Sequence, residues 1–140
     1  MPRVDFYLLS ETGDLARWRC ACRLAEKAAD LGHRVLIRTA SSGESTKLDE
    51  LLWTFSEKVF LPHEVATQPS HALVKVVIND QPAAAPFDVV INVSSQTLQA
   101  VPAAERIAEV VGADETEKRA ARERYRFYRE QGCALETHNL

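Results

Sequence analysis

Apolar residues fall into two rhythms along this chain, and the alternation between them predicts the fold. Short, nearly continuous apolar runs read as buried strands. They are Val4-Asp5-Phe6-Tyr7-Leu8-Leu9, Val35-Leu36-Ile37, Val74-Lys75-Val76-Val77-Ile78, Phe87-Asp88-Val89-Val90-Ile91-Asn92-Val93 and Arg106-Ile107-Ala108-Glu109-Val110-Val111. Between them, apolar positions recur at helical spacing. From Leu15 to Leu31 the stripe is Ala16, Cys20, Leu24, Ala28 and Leu31, with Asp14 as the expected N-cap and Gly32 as the stop. A second helix is expected from about Thr46 to Phe55, carrying Leu48, Leu51, Leu52 and Phe55 after a polar Thr39–Ser45 loop. Phe60-Leu61-Pro62-His63 reads as a short extended piece, and Gln81–Pro86 as a loop. The last helix opens on Asp114 and Glu117, spaced as a capping box, and runs to about Gln131 before Gly132. The tail from Cys133 to Leu140 has no strong pattern.

Strands alternating with helices imply an α/β fold, a mainly parallel sheet covered by helices on both faces. With 140 residues, no repeat and no linker-like stretch, residues 1–140 are expected to form one domain.

Composition narrows the function. Hydrophobic residues make up 46% of the chain, enough for a core. The net charge of -3 and the pI of about 5.8 argue against a general nucleic-acid binder. The N-terminus lacks the apolar stretch of a signal peptide, and no window is apolar enough to span a membrane. Three cysteines, Cys20, Cys22 and Cys133, suit a reducing compartment, so a soluble cytoplasmic protein without membrane contact is expected.

Catalytic chemistry is hard to find. Ser10-Glu11-Thr12-Gly13-Asp14, after the first strand, has one glycine where a dinucleotide loop needs three. Ala40-Ser41-Ser42-Gly43-Glu44-Ser45-Thr46-Lys47 resembles a phosphate loop in context but lacks the Gly-Lys-Ser/Thr core, and a capped helix start explains it better. Cys20 and Cys22 lie about 200° apart on a helix and cannot share a metal ion. His33, His63, His71 and His138 show no ligand spacing, so neither metal nor cofactor is expected. No nucleophile elbow is present, and Cys133 follows a helix C-terminus, where the dipole disfavours a thiolate.

Two surfaces stand out instead. The last helix carries Lys118, Arg119, Arg122, Arg124, Arg126 and Arg129 against four glutamates, a net of +2 in an acidic chain. Lys118, Arg122, Tyr125 and Arg129 share one face, with Arg126 beside them. Guanidinium groups next to an aromatic wall suit an acidic peptide with an apolar end, although a solvated helix laced by ion pairs has the same composition. In the second helix, Trp53 falls about 100° off the apolar stripe next to Leu52. An exposed Trp53 near Phe60 and Pro62 would make an apolar patch of the kind found at interfaces; a Trp53 folded back onto the core is the competing reading.

These blocks, in their order, resemble the chi subunits of bacterial DNA polymerase III. The matching pieces are Phe6-Tyr7-Leu8-Leu9, Arg34-Val35-Leu36-Ile37, Leu48-Asp49-Glu50-Leu51-Leu52-Trp53, Phe60-Leu61-Pro62-His63, Val89-Val90-Ile91-Asn92 and Ala121-Arg122-Glu123-Arg124-Tyr125-Arg126-Phe127-Tyr128-Arg129. The resemblance implies a Rossmann-like three-layer fold without a working nucleotide site. It also implies a non-catalytic adaptor of the clamp-loader assembly with two protein partners, touching single-stranded DNA only indirectly. One partner is the acidic C-terminal tail of single-stranded-DNA-binding protein. By position, Arg122, Tyr125 and Arg126 would hold it, with Lys118 and Arg129 as flanking cations and Val111 as a wall. The other is the psi subunit, facing Trp53, Phe60, Pro62 and Leu52. The stretch between Val111 and Asp114 is shorter than in familiar members, which leaves the wall of the tail pocket open at that point. A nucleotide-binding enzyme of Rossmann-like fold is the alternative.

Overall fold

A computed structural model of the chain describes residues 2–54, 61–67, 69–70, 73–81, 86–96 and 100–140. Phe55 and Phe60, both assigned roles above, lie outside the described residues. The strands are β1 (Arg3–Leu8), β2 (Val35–Arg38), β3 (His63–Val65), β4 (Val76–Asn79), β5 (Phe87–Asn92), β6 (Ala104–Val111) and β7 (Ala134–Asn139). The helices are α1 (Asp14–Asp30), α2 (Ser42–Thr54) and α3 (Glu115–Glu130). The seven strands form one sheet in the order β3-β4-β2-β5-β6-β1-β7, and every pairing is parallel.

The apolar runs are continuous because helices cover both faces of the sheet centre. On one face α1 and α2 bury Cys20, Ala21, Ala25, Leu48 and Leu52 against Ile37, Ile78, Ile91 and Val110. On the other, α3 packs Ala121 and Tyr128 onto Val4, Phe6, Ile107 and Val111. Alternation along β1 therefore sends Val4 and Phe6 toward α3 and Asp5 and Tyr7 to the opposite face. None of the described helices is long and apolar enough to cross a membrane.

Helix boundaries depart from the expected ones for local reasons. α2 begins at Ser42 rather than Thr46, because Ser41 Oγ accepts the Glu44 N–H at 3.2 Å and Thr39 and Ser45 hydroxyls bond at 2.7 Å. The loop that resembled a phosphate cradle is thus a capped helix start. The N-cap of α1 is Gly13, not Asp14, whose carboxylate instead accepts from Arg17. Asp114 does cap α3 by position, but its side chain makes no capping bond, and Glu117 pairs with Arg17 at 3.3 Å. Both helices end as expected, with Gly32 and Gly132 in the left-handed region at φ 84° and 85°.

The largest departure is β7. The apparently patternless tail pairs along β1 from Arg3↔Ala134 to Leu8↔Asn139. As an edge strand it has one neighbour, and its mostly polar residues give almost no periodic signal. What holds it is a cross-strand charge cluster. The Asp5 carboxylate, shut off from solvent, accepts from His138 Nε2 at 2.9 Å, Arg106 Nε at 2.9 Å and Arg3 Nη2 at 3.1 Å. Arg3 also reaches Glu136 at 2.5 Å, and the Tyr7 and His138 rings stack with centroids 4.9 Å apart.

Burial alone pushes the Asp5 carboxyl up, but the hydrogen bonds from His138, Arg106 and Arg3 outweigh it and leave it below the usual carboxylate range. A carboxyl held low in the folded protein stabilises the fold above its unfolded value and loses that contribution as the pH falls. In urea melts, Asp5→Asn is expected to be less stable than wild type at neutral pH. The gap should close as the pH drops through and below about 4, where the unfolded carboxyl also protonates. A gap independent of pH would show that the ionised form of Asp5 contributes nothing.

Candidate docking surfaces

A buried carboxylate at the centre of β6 determines how α3 lies on the sheet. Glu109 points to the α3 side with no solvent exposure. It accepts from Arg124 Nε at 2.8 Å, Tyr128 Oη at 2.6 Å, and Asn92 Nδ2 at 2.9 and 3.1 Å to its two oxygens. Burial, reinforced by the adjacent carboxylate, pushes the Tyr128 hydroxyl well above the ordinary tyrosine range, so it stays protonated as a donor. Asn92 also accepts the Ser94 N–H at 3.1 Å, which ties the end of β5 to the same network. Ala121, Arg124 and Tyr128 form the buried stripe of α3. Arg124, counted above among the cations of this helix, is internal, because the Glu109 charge would otherwise be unpaired.

With that stripe fixed, the flank facing β7 carries the groove. Lys118, Ala121, Arg122 and Tyr125 form one wall, and Phe6, Leu8, Val111 and Thr137 complete an open groove of about 370 Å³. The floor is apolar and the rim cationic. Phe6 braces the Tyr125 ring, with centroids 5.4 Å apart. Arg122 Nη1 lies 3.3 Å from Glu115 Oε1, an exposed pair in which a competing carboxylate can displace Glu115 at small cost.

Of the six residues assigned to the tail pocket, the groove gathers Lys118, Arg122, Tyr125 and Val111. Arg126 lies elsewhere. About 40° further round the helix, it lines a depression on the opposite flank with Ser95, Glu123, Phe127 and Glu130. Arg129 is exposed one turn beyond Tyr125 and does not line the groove. Phe6 and Leu8 were read only as strand core, and Thr137 was missed because β7 was missed.

The second surface lies where α2 meets β3. Trp53 is 53% exposed, and its ring centroid is 4.5 Å from that of His63. Pro62 is half-buried beside it in sequence. Leu52 is only 4% exposed and packs in the core beneath α2, so it has almost no surface to offer a partner. The helical stripe explains the difference: Leu52 lies on it and Trp53 off it.

The remaining chemistry is structural. At the start of α1, Arg17 is buried and donates to the Val93 carbonyl at 2.5 Å, with Asp14 and Glu117 on its other nitrogens. Side chains of both signs therefore occupy the strand-end crevice in which this class of fold commonly holds a nucleotide. Burial pushes the Cys22 thiol up to about 12 and also raises Cys20 and Cys133, so none of the three is poised as a thiolate. Asp5, Glu136 and His138, not suspected of proximity from the sequence, bring possible ligand atoms within 4.8 Å of one another. The Asp5 oxygens already serve two guanidinium groups there, which repel a cation.

Removing a donor to Glu109 should be costly. Tyr128→Phe is expected to lose about 1–3 kcal/mol in urea unfolding, and Arg124→Leu about 3–5 kcal/mol, since it strands a buried charge. If Arg124→Leu is neutral, Glu109 does not depend on that ion pair.

Known proteins match this sequence over nearly its whole length. The family model described as DNA polymerase III chi subunit, HolC, matches residues 1–136. A Pseudomonas aeruginosa protein named DNA polymerase III subunit chi is 38% identical over 140 residues, covering 100% of this chain and 98% of its own length. Proteins of the same name from Haemophilus influenzae and Escherichia coli are 29% and 28% identical, covering 98% of this chain and 96% and 97% of theirs. A family model that spans residues 1–136 and a relative 38% identical over the whole chain place the chain in the family of DNA polymerase III chi subunits.

Proposed function

We propose that the chain is a non-catalytic adaptor of the DNA polymerase III clamp loader in DNA replication. It would bind the acidic C-terminal tail of single-stranded-DNA-binding protein in the α3–β7 groove and the psi subunit at the Trp53 face. The observation that carries this reading is the groove itself, an apolar floor of Phe6, Leu8 and Val111 under Lys118 and Arg122. An acidic chain terminus with an apolar last residue matches both halves. The side chain fills the floor against Tyr125, and the carboxylate replaces Glu115 on Arg122. Arg126 and Arg129, outside the groove, would act at longer range on upstream acidic residues.

The two proposed faces lie toward opposite edges of the sheet, near β7 and β3. Six inter-strand steps put those edges about 29 Å apart, so both partners could be held at once. The mechanism is tethering: many tails on coated single strands raise the local concentration of the loader, and each contact can be weak. Single-stranded DNA is then reached only through its coat protein, in the cytoplasm.

Titration of a labelled acidic peptide ending in an apolar residue tests the groove. Arg122→Ala should weaken binding by about 1.5–3 kcal/mol, roughly 10- to 150-fold. Arg126→Ala should weaken it less, and added salt should weaken wild-type binding steadily. Equal affinity of wild type and Arg122→Ala would remove the tail from this groove.

The psi face is tested separately. Trp53→Ala should lose co-purification with psi while binding the tail peptide as wild type does. If tail binding falls with it, the two faces are not independent.

A further inference from the structure

The open edge of β7 borders the candidate groove, and the strand register fixes which of its backbone groups are spare. The Leu140 N–H donates to the Leu8 carbonyl at 2.9 Å, and Asn139 is paired with Leu8. In a parallel ladder, successive residues turn their N–H and C=O alternately to one side of the strand and to the other. His138, Glu136 and Ala134 therefore face β1, as Leu140 does. Leu135, Thr137 and Asn139 direct both backbone groups away from the sheet, and among the described residues no strand lies beyond β7. The same three residues stand opposite Val4, Phe6 and Leu8, so their side chains turn to the α3 side, where Thr137 lines the groove. An extended chain laid along this edge places every second side chain on the groove side.

From this geometry we infer that the acidic tail binds as an added strand, parallel to β7, with its backbone paired to Leu135, Thr137 and Asn139. The inference deepens the groove reading given above and rests on it. Charge selects this occupant. Lys118, Arg122 and Arg129 are exposed and fall within about 40° of one another on α3, the flank turned to β7. The spare residues of β7 carry no charge, and on its far face Glu136 is held by Arg3 at 2.5 Å. Acidic side chains alternating along the added strand therefore meet cations on the groove side. Direction follows from the topology. α3 joins two parallel strands and so runs back across the sheet, with Lys118 toward their carboxyl ends and Arg129 toward the start of β7. The groove around Arg122 includes Leu8 and Val111, the last residues of β1 and β6. A tail that ends there and runs parallel to β7 passes all three spare residues and Arg129. An antiparallel tail leaves the sheet after Asn139, the last residue of β7. The lengths agree, since Leu135 to Asn139 spans about 13 Å of strand and Arg122 to Arg129 about 10 Å of helix. Main-chain bonds hold the tail whatever its sequence, and the groove-side positions select for an apolar end preceded by acids.

The experiment uses the nitrogen-15-labelled full chain and a peptide of consecutive aspartates followed by alanine and a terminal phenylalanine. Binding should slow amide hydrogen exchange at Leu135, Thr137 and Asn139 by about tenfold or more. Glu136 and His138, already bonded to β1, should change little. N-methylation of the peptide backbone should weaken binding at every second residue and be tolerated in between. A spin label on the amino end of the peptide should broaden the signals of Ala134 and Leu135. Arg129→Ala should weaken binding more than Arg126→Ala, because Arg126 lies on the other flank of α3. Unchanged exchange at the three amides in the bound complex, or N-methyl effects without alternation, would overturn the added strand while leaving the groove as the binding site. Broadening at Asn139 and Leu140 instead would overturn the parallel direction. A peptide that does not bind at all removes the groove reading and the strand with it, so the two failures are told apart.

Discussion

The Glu109 carboxylate, buried under α3, is the constraint on which the candidate groove depends. A charge at that depth must be met by donors, and three side chains converge on it from β5 and α3. Arg124 and Tyr128 reach it from adjacent turns of one helix, so α3 has little freedom to roll on the sheet. Rolling by one residue would rotate the helix about 100° and withdraw both donors. Fixing the inner stripe fixes the outer faces as well. Lys118, Arg122 and Tyr125 are turned toward β7, and Arg126 away from it.

The same economy governs the strand-end crevice and the sheet edges. Arg17 occupies the start of α1 with Val93, Asp14 and Glu117 around it, so α/β architecture is kept while that crevice is filled by the protein's own side chains. The two candidate docking surfaces lie to the sides. β7 and α3 form one and α2 with β3 the other, each with a buried polar side chain beneath it: Glu109 under the groove and the His63 ring against Trp53. In both, a polar group inside the protein sets the direction of an aromatic or cationic group outside it.

Much of the fold was legible in the sequence because parallel strands buried on both faces are almost uniformly apolar. β1, β2, β4, β5 and β6 were found that way, and α1 and α3 by their spacing and their glycine stops. β7 was not, because an edge strand buries little and Leu135 is its one large apolar side chain before the C-terminal leucine. The candidate site was half legible. Helical spacing brought Lys118, Arg122 and Tyr125 together, but it grouped Arg126 with them and gave Arg124 no face of its own. A helical wheel gives angles between residues. It does not say which angle faces the core when the core-facing residue is itself an arginine.

By itself, the sequence determined the order of the elements, the parallel class of the sheet and the positions that had to be apolar. These follow from local periodicity and from the requirement that backbone groups pair. Tertiary structure alone decided which charges were inside. Asp5 and Glu109 look like ordinary polar residues until Arg106 and Arg124 arrive from other parts of the chain. The physical reason is that burying a charge depends on the partner it meets in space, and sequence spacing carries no record of that meeting.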